Sequence, residues 1–274
     1  MRNIIPIETN GNGDFNVYSY KSDFITTSEK MNLEYFPIKY FRSLKSIQIY
    51  SSNPVIDDYC KMYEPFLYSD CFFIASRLIS DFRNSTLELS ENSPNMDIFF
   101  NQVAEGVQLS KLGYQYSKDI IIFYVKQIFI MLKNGRIVNT DCGKYSLMQD
   151  FTDSDLCFCL FESFWQITDW SCLFPSMPAA ASKLQNNKLI IINMMLLCKK
   201  NIDVTEFSRK LLSEIGFKAD DEMLFISFVD FSIFNWFALF GFIKYSSYCC
   251  DDAVVVRITP FGRSFLSNLL ISEI

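Results

Sequence analysis

The residues of this chain that could carry out chemistry are its cysteines and its acidic pairs, because the sequence contains no histidine. The absence of histidine excludes the Ser-His-Asp and Cys-His arrangements that activate a nucleophile. The acidic pairs at 57–58, 220–221 and 251–252 lie at predicted helix starts or at a hairpin tip, where helix capping or exposure explains them. No GxGxxG motif, P-loop or nucleophile elbow is present. We therefore expect a protein that is not an enzyme and that needs no cofactor.

The cysteines do not have the spacing of a metal site. Structural zinc sites use two Cys-x-x-Cys-like pairs or cysteine with histidine, whereas this chain offers a Cys-x-Cys at 157–159 and a Cys-Cys at 249–250. Their odd number, their apolar surroundings and the lack of an N-terminal signal sequence predict free thiols in a reducing cytoplasm. The nine cysteines are Cys60, Cys71, Cys142, Cys157, Cys159, Cys172, Cys198, Cys249 and Cys250.

Five basic residues in the middle of the chain are the candidate nucleic-acid contacts. Lysine and arginine bind phosphates, and two of these lysines are seven residues apart, so that they share one face of a helix. An ordinary solvated stripe is the alternative, since the whole chain has a net charge of −6 and a pI near 4.9. The five candidates are Lys118, Lys126, Lys133, Arg136 and Lys144.

Most of these residues lie on predicted helices. Apolar periodicity and capping residues predict helices that begin after Asn53, Ser69, Ser117, Thr152, Asn187, Asp203 or Thr205, Asp220 and Thr259, and a short helix that Gly106 ends. Short strands are predicted at 15–20 and 46–51, and a polar linker at 84–95. Two small hairpins are predicted, one around a turn at 141–143 and one over 242–258. The expected fold class is mainly α with small β-hairpin wings (α+β).

The last helix and the strand before it resemble a known domain. The segment RITPFGRSFL at 257–266 is similar to the end of bacterial and archaeal winged-helix domains, where a wing strand leads into Thr-x-x-Gly and an amphipathic helix. The residues that carry the resemblance are Arg257, Ile258, Thr259, Phe261, Gly262, Phe265 and Leu266. The resemblance implies a winged-helix fold and says nothing of function.

An internal repeat extends this interpretation. The segment MLKNGRIV at 131–138 matches ALFGFIKY at 238–245 as a helix end, a glycine and a strand. The chain therefore resembles tandem winged-helix units of uncharacterised bacterial proteins over about 96–270. We predict an N-terminal region at 1–95, a first unit at 96–175 and a second unit at 176–274. The first unit lacks the glycine after the threonine, so its joint between wing and helix is expected to differ.

The charge of the second unit argues against the usual function of this fold. Its third helix, predicted at 221–240, would be the recognition helix, but it has no lysine or arginine and carries Asp221, Glu222 and Asp230. The segment 223–243 is long enough to span a membrane, but Asp230 near its middle favours a buried core helix. We expect a protein partner or self-association and no membrane, with a DNA-binding transcriptional or plasmid/phage-related regulator that uses the first unit as the alternative.

Overall fold

In the computed structural model the chain is mainly helical with small antiparallel sheets, which confirms the predicted α+β class. The structure describes residues 4–7, 17–20, 69–91, 93–107, 117–148, 151, 153–198, 201–246 and 254–273. The predicted strand at 46–51, the helix after Asn53 and three of the cysteines (Cys60, Cys249 and Cys250) lie outside these residues.

The elements follow one another in chain order. The helices are α1 (Asp70–Asn84), α2 (Pro94–Glu105), α3 (Lys118–Asn134), α4 (Asp153–Glu162), α5 (Trp170–Leu173), α6 (Pro178–Asn186), α7 (Lys188–Leu197), α8 (Val204–Glu214), α9 (Glu222–Val229), α10 (Asn235–Leu239) and α11 (Pro260–Glu273). The strands are β1 (Ile4–Ile7), β2 (Val17–Tyr20), β3 (Val138–Asp141), β4 (Lys144–Leu147), β5 (Asn201–Asp203), β6 (Ile243–Tyr245) and β7 (Val255–Ile258). A π-helical turn continues α4 over Ser163–Ile167, and a second one joins α9 to α10 over Asp230–Phe234.

The first predicted hairpin is confirmed, and it has a third chain segment beside it. Strands β3 and β4 pair antiparallel around Cys142 and Gly143, whose φ angles of 47° and 79° are those of a type I′ turn. The backbone of Leu89 and Glu91 bonds to Tyr145 and Gly143 on the outer side of β4. The segment predicted as a linker therefore lies against the hairpin and buries Leu89.

The second hairpin is also confirmed, and it also has a third strand. Strands β6 and β7 pair antiparallel with Ile243 opposite Ile258. Strand β5 pairs with the other edge of β7, so the order in the sheet is β5-β7-β6. Both hairpins thus share one arrangement, in which the strand after the turn lies in the centre.

One aromatic core joins the two halves of the molecule. The ring of Tyr124 on α3 contacts that of Trp236 on α10 at 5.5 Å, and Phe161 on α4 contacts Phe265 on α11 at 4.8 Å. The tryptophans at 165, 170 and 236 are at most 1% exposed. Core packing, and not an exposed interface, accounts for these aromatic residues.

Most predicted helix ends are confirmed, with two corrections. Ser69 and Asp203 accept backbone N–H groups in the first turns of α1 and α8, and Gly106 follows the last residue of α2. Asp221, and not Asp220, caps α9 through the Leu224 amide. The helix predicted at 221–240 is interrupted by the π-helical turn over Asp230–Phe234.

The helix ends before the two hairpins share one geometry and correct the register of the repeat. The Ile137 amide bonds to the Leu132 carbonyl at 2.9 Å, as the Phe242 amide does to the Phe237 carbonyl at 2.8 Å. Each pair is five residues apart, which is a Schellman-type helix ending. Arg136 therefore corresponds to Gly241, whereas the sequence comparison had placed them two positions out of register.

Replacing Arg136 with glycine is expected to stabilise the protein by about 1 kcal/mol. A left-handed backbone conformation is less favourable for a non-glycine residue than for glycine by about that free energy. Arg136 has a φ of 62° and its side chain is exposed. Arg136→Ala removes the same side chain but keeps the unfavourable backbone, so it serves as the control. Urea unfolding of the two variants measures the difference. Equal stabilities would contradict a backbone origin.

Candidate functional site

The structure places four of the five predicted nucleic-acid contacts next to carboxylates. Lys118 lies 2.9 Å from Glu105, Lys126 lies 2.8 Å from Asp97 and Lys133 lies 3.1 Å from Glu91. Lys144 on β4 pairs with Glu88, and this pair raises the lysine pKa and lowers the glutamate pKa through a hydrogen bond. The acids all come from α2 and the segment before it, which pack beside α3 and β4.

These ion pairs limit the binding of phosphate groups by the four lysines. A phosphate that bound Lys126 or Lys133 would have to displace Asp97 or Glu91, and it would meet the repulsion of these acids. The individual pairs are exposed and screened by solvent, so each contributes little to stability. Arg136 lies apart from them, at the end of α3, with no ion-pair partner among the residues that the structure describes.

The two helices that were candidates for DNA contact also touch each other in the core. Helix α3 carries three of the candidate basic residues, and the helical run α9–α10 occupies the predicted recognition helix. The rings of Phe123 and Phe231 lie 5.1 Å apart in this contact, beside the pair of Tyr124 and Trp236. Phe225, Val229, Ile233 and Phe237 on the second run are fully buried. Most of the helix predicted at 221–240 is therefore packed into the core, whereas Met223 and Leu224 in its first turn are 61% and 54% exposed.

A polar group lies within this buried run, at the π-helical turn. The Tyr245 hydroxyl is 2.8 Å from Asp230 Oδ1 and 2.7 Å from Asn235 Oδ1. The Tyr245 hydroxyl has one proton to donate, so these two oxygens are alternative acceptors for it. Burial raises the pKa of Asp230, and the hydrogen bond from Tyr245 opposes this shift.

Replacing Asp230 with asparagine is expected to make the protein less sensitive to rising pH. Because the folded state raises the pKa of Asp230 above 3.8, it binds this proton more tightly than the unfolded state does. The stabilisation that the Asp230 carboxyl contributes is complete at pH values below its pKa in the unfolded chain. This stabilisation is lost as the pH rises through its pKa in the folded protein. The stability of Asp230→Asn relative to the native chain should therefore grow with pH. Urea midpoints from acidic to neutral pH measure this, with the exposed Asp141→Asn as control; a constant difference would contradict it.

The cysteines form no site among the described residues. Cys71, Cys142, Cys157, Cys159, Cys172 and Cys198 are free thiols. Burial raises the pKa of Cys71 and of Cys157, so both remain protonated. No cluster of three or more cysteine or acidic side chains could hold a metal ion in the part of the chain that the structure describes.

One helical run, Glu222–Leu239, is long and apolar enough to cross a membrane, and 61% of it is buried inside the protein. Its apolar side chains form the aromatic core described above, and Asp230 lies in its middle.

A groove opens beside strand β5, where the sequence predicted no site. It encloses about 570 Å³ between the end of α7 and the exposed side of α8. Its apolar lining includes Met194, Leu197, Ile202 and Phe207. Leu197 is 72% exposed, which is the largest exposed fraction of any large apolar side chain among the described residues.

The rim of this groove, which we call the β5 groove, is mainly acidic. Asp203, Glu206 and Glu214 line it together with one cation, Lys210, which pairs with Glu206 at 2.7 Å. Glu214 is exposed and has no ion-pair partner in the described part of the chain. The groove therefore combines an apolar floor with a net negative rim.

The end of α7 that borders the β5 groove is held in place by α11. Arg263 donates to the carbonyl oxygens of Leu196 at 3.1 Å and Cys198 at 2.9 Å. A guanidinium at the last carbonyls of a helix satisfies groups that would otherwise lack partners. The exposed Leu197 is thus carried on a fixed backbone.

No protein-family model, curated protein or solved structure matches this chain.

Proposed function

We propose that this chain is a non-catalytic protein of two winged-helix-like units that acts by binding another polypeptide. The observation that carries the proposal is the contact between α3 and the run α9–α10. Phe123 and Tyr124 of α3 contact Phe231 and Trp236 of that run, so both helices contribute apolar side chains to the core. The β5 groove is an exposed surface with an apolar lining.

The order of elements supports the winged-helix-like assignment. Helix α7, strand β5, helix α8, the run α9–α10, the hairpin β6–β7 and helix α11 follow one another in the second unit. Helix α1, the segment 89–91, α2, α3, the hairpin β3–β4 and α4 follow the same order earlier in the chain. We therefore propose that the first unit begins at Ser69, and that α1 and the segment after it belong to that unit.

The charge distribution favours a polypeptide over duplex DNA as the partner. The lysines at 118, 126, 133 and 144 are each matched by a carboxylate. The DNA-binding alternative requires these pairs to open, and every opened pair leaves an acid beside the phosphate backbone.

Two measurements test this function. We expect no mobility shift of short duplex DNA at low salt. We also expect the mobility to stay the same when Lys126 and Lys133 are both replaced by glutamine. A shift that those substitutions abolish would establish the DNA-binding alternative instead. Sedimentation at several protein concentrations separates self-association from a partner of another sequence, and a strict monomer that binds no polypeptide would overturn the proposal.

A further inference from the structure

We propose that the β5 groove binds an extended polypeptide segment that alternates apolar side chains with lysine or arginine and adds a strand to β5. This inference rests on the proposed function and names the surface and the partner for it. It follows from three properties of the groove, namely a strand edge that pairs with no other strand among the described residues, an apolar floor and an acidic rim.

The strand edge supplies the backbone contacts. In the order β5-β7-β6, one edge of β5 pairs with β7, and the other has no strand beside it in the part of the chain that the structure describes. All three residues of β5 also line the groove. Unpaired N–H and C=O groups at a sheet edge accept an added strand, and many domains bind peptides in this way.

The floor selects the side chains of one face of the segment. Ile202 and Phe207 are 2% and 4% exposed, whereas Leu197 stands out at the border with 72% of its surface exposed. Side chains of an extended segment alternate between two faces, so every second residue would meet this apolar lining. We expect those residues to be valine, isoleucine, leucine or an aromatic residue, which pair well in strands.

The rim selects the charge of the segment. Asp203, Glu206 and Glu214 are opposed by Lys210 alone among the lining residues. An acidic segment would meet repulsion here, and a basic one would be attracted. The net charge of −6 for the whole chain acts in the same direction on the approach of a partner.

The test is a selection of random heptapeptides displayed on phage, carried out with the full chain immobilised. We expect enriched sequences with apolar residues at alternate positions and an excess of lysine and arginine. Synthetic copies of them should lose affinity by about tenfold or more when N-methylation blocks alternate backbone amides, because strand addition requires those groups.

Matched variants assign the binding to the β5 groove. Leu197→Lys should weaken the selected peptides about tenfold, whereas Ile98→Lys, at a half-exposed apolar residue on α2, should leave affinity unchanged. Glu214→Lys should weaken binding several-fold, and Asp141→Lys, with the same change of charge on the first hairpin, should not. The peptides should also slow maleimide labelling of Cys198 in the groove and not of the exposed Cys142.

The outcomes separate the two proposals. Peptides that are enriched but bind Leu197→Lys equally well would overturn this inference and leave the proposed function standing. A chain that selects no peptide and binds no polypeptide in solution would overturn both. A dimer whose formation depends on Leu197 would place a second copy of this chain in the groove and overturn the basic-segment proposal.

Discussion

Replacing Gly262 with alanine is expected to destabilise the protein by about 3–5 kcal/mol, because the added methyl group has no room. A Cβ atom at this position would overlap the Phe242 carbonyl oxygen and lie 2.6 Å from the carbonyl carbon. Both are backbone atoms, so no change of rotamer can relieve the contact. The same carbonyl accepts the Thr259 amide at 2.9 Å, which holds it in place.

Gly106→Ala is the matched control for Gly262→Ala. At Gly106 the nearest atoms to an added Cβ belong to the Arg77 guanidinium, about half of which is exposed and which can move. We expect a change of less than about 1 kcal/mol there. Urea unfolding followed by circular dichroism measures both variants. Similar stabilities for the two would show that the joint around Gly262 is not tightly packed.

The structure gives a physical reason for the Thr-x-x-Gly sequence that suggested the fold. The Thr259 hydroxyl accepts the Gly262 amide at 2.9 Å and so caps α11. It also donates to the Gly241 carbonyl at 2.9 Å, which ties the start of α11 to the end of α10. The capping threonine and the glycine at the close contact are both recognisable in the local sequence. For this reason the joint between β7 and α11 could be predicted.

The pairing of the α3 lysines with carboxylates could not be predicted from local charge. Residues 118–150 are slightly positive, since their five basic residues are opposed by Asp119, Asp141 and Asp150 alone. The matching carboxylates belong to residues 88–105, which are brought to the stripe by the packing of α2 on α3. A charge count restricted to one helix therefore misses acids that the fold places beside it.

The β5 groove was missed for a related reason. Residues 201–203 read Asn-Ile-Asp, too short and too polar to predict a strand. They become one because β7, more than fifty residues later, supplies the hydrogen bonds. The π-helical turns could not be predicted, since packing of the aromatic core and not local propensity determines them. The short helix α6 was predictable from Pro178 at its first position and the alanines that follow it.

Gly135→Ala is the second large effect that we expect, a destabilisation of about 2–3 kcal/mol. An added Cβ would overlap the Cys159 sulfur and lie 2.7 Å from Ser163 Oγ. The close contact at the first joint lies between Gly135, before the hairpin, and side chains of α4 and the π-helical turn after it. At the second joint it lies between Gly262, on α11, and the backbone of Phe242. The first joint is also longer, with five residues between β4 and α4.

The two nearest atoms at Gly135 belong to side chains, and the Met131 carbonyl oxygen is farther away at 3.1 Å. The effect of Gly135→Ala should therefore be relieved by a second substitution, unlike that of Gly262→Ala. Cys159→Ala removes the overlapping sulfur and costs the weak hydrogen bond that the thiol donates to the Gly135 carbonyl at 3.3 Å. We expect the double variant Gly135→Ala, Cys159→Ala to lose about 1–2 kcal/mol less stability than the two single variants lose together. If the losses of the single variants simply add in the double variant, the strain of Gly135→Ala arises elsewhere. A favourable coupling would establish that the first joint closes by side-chain packing.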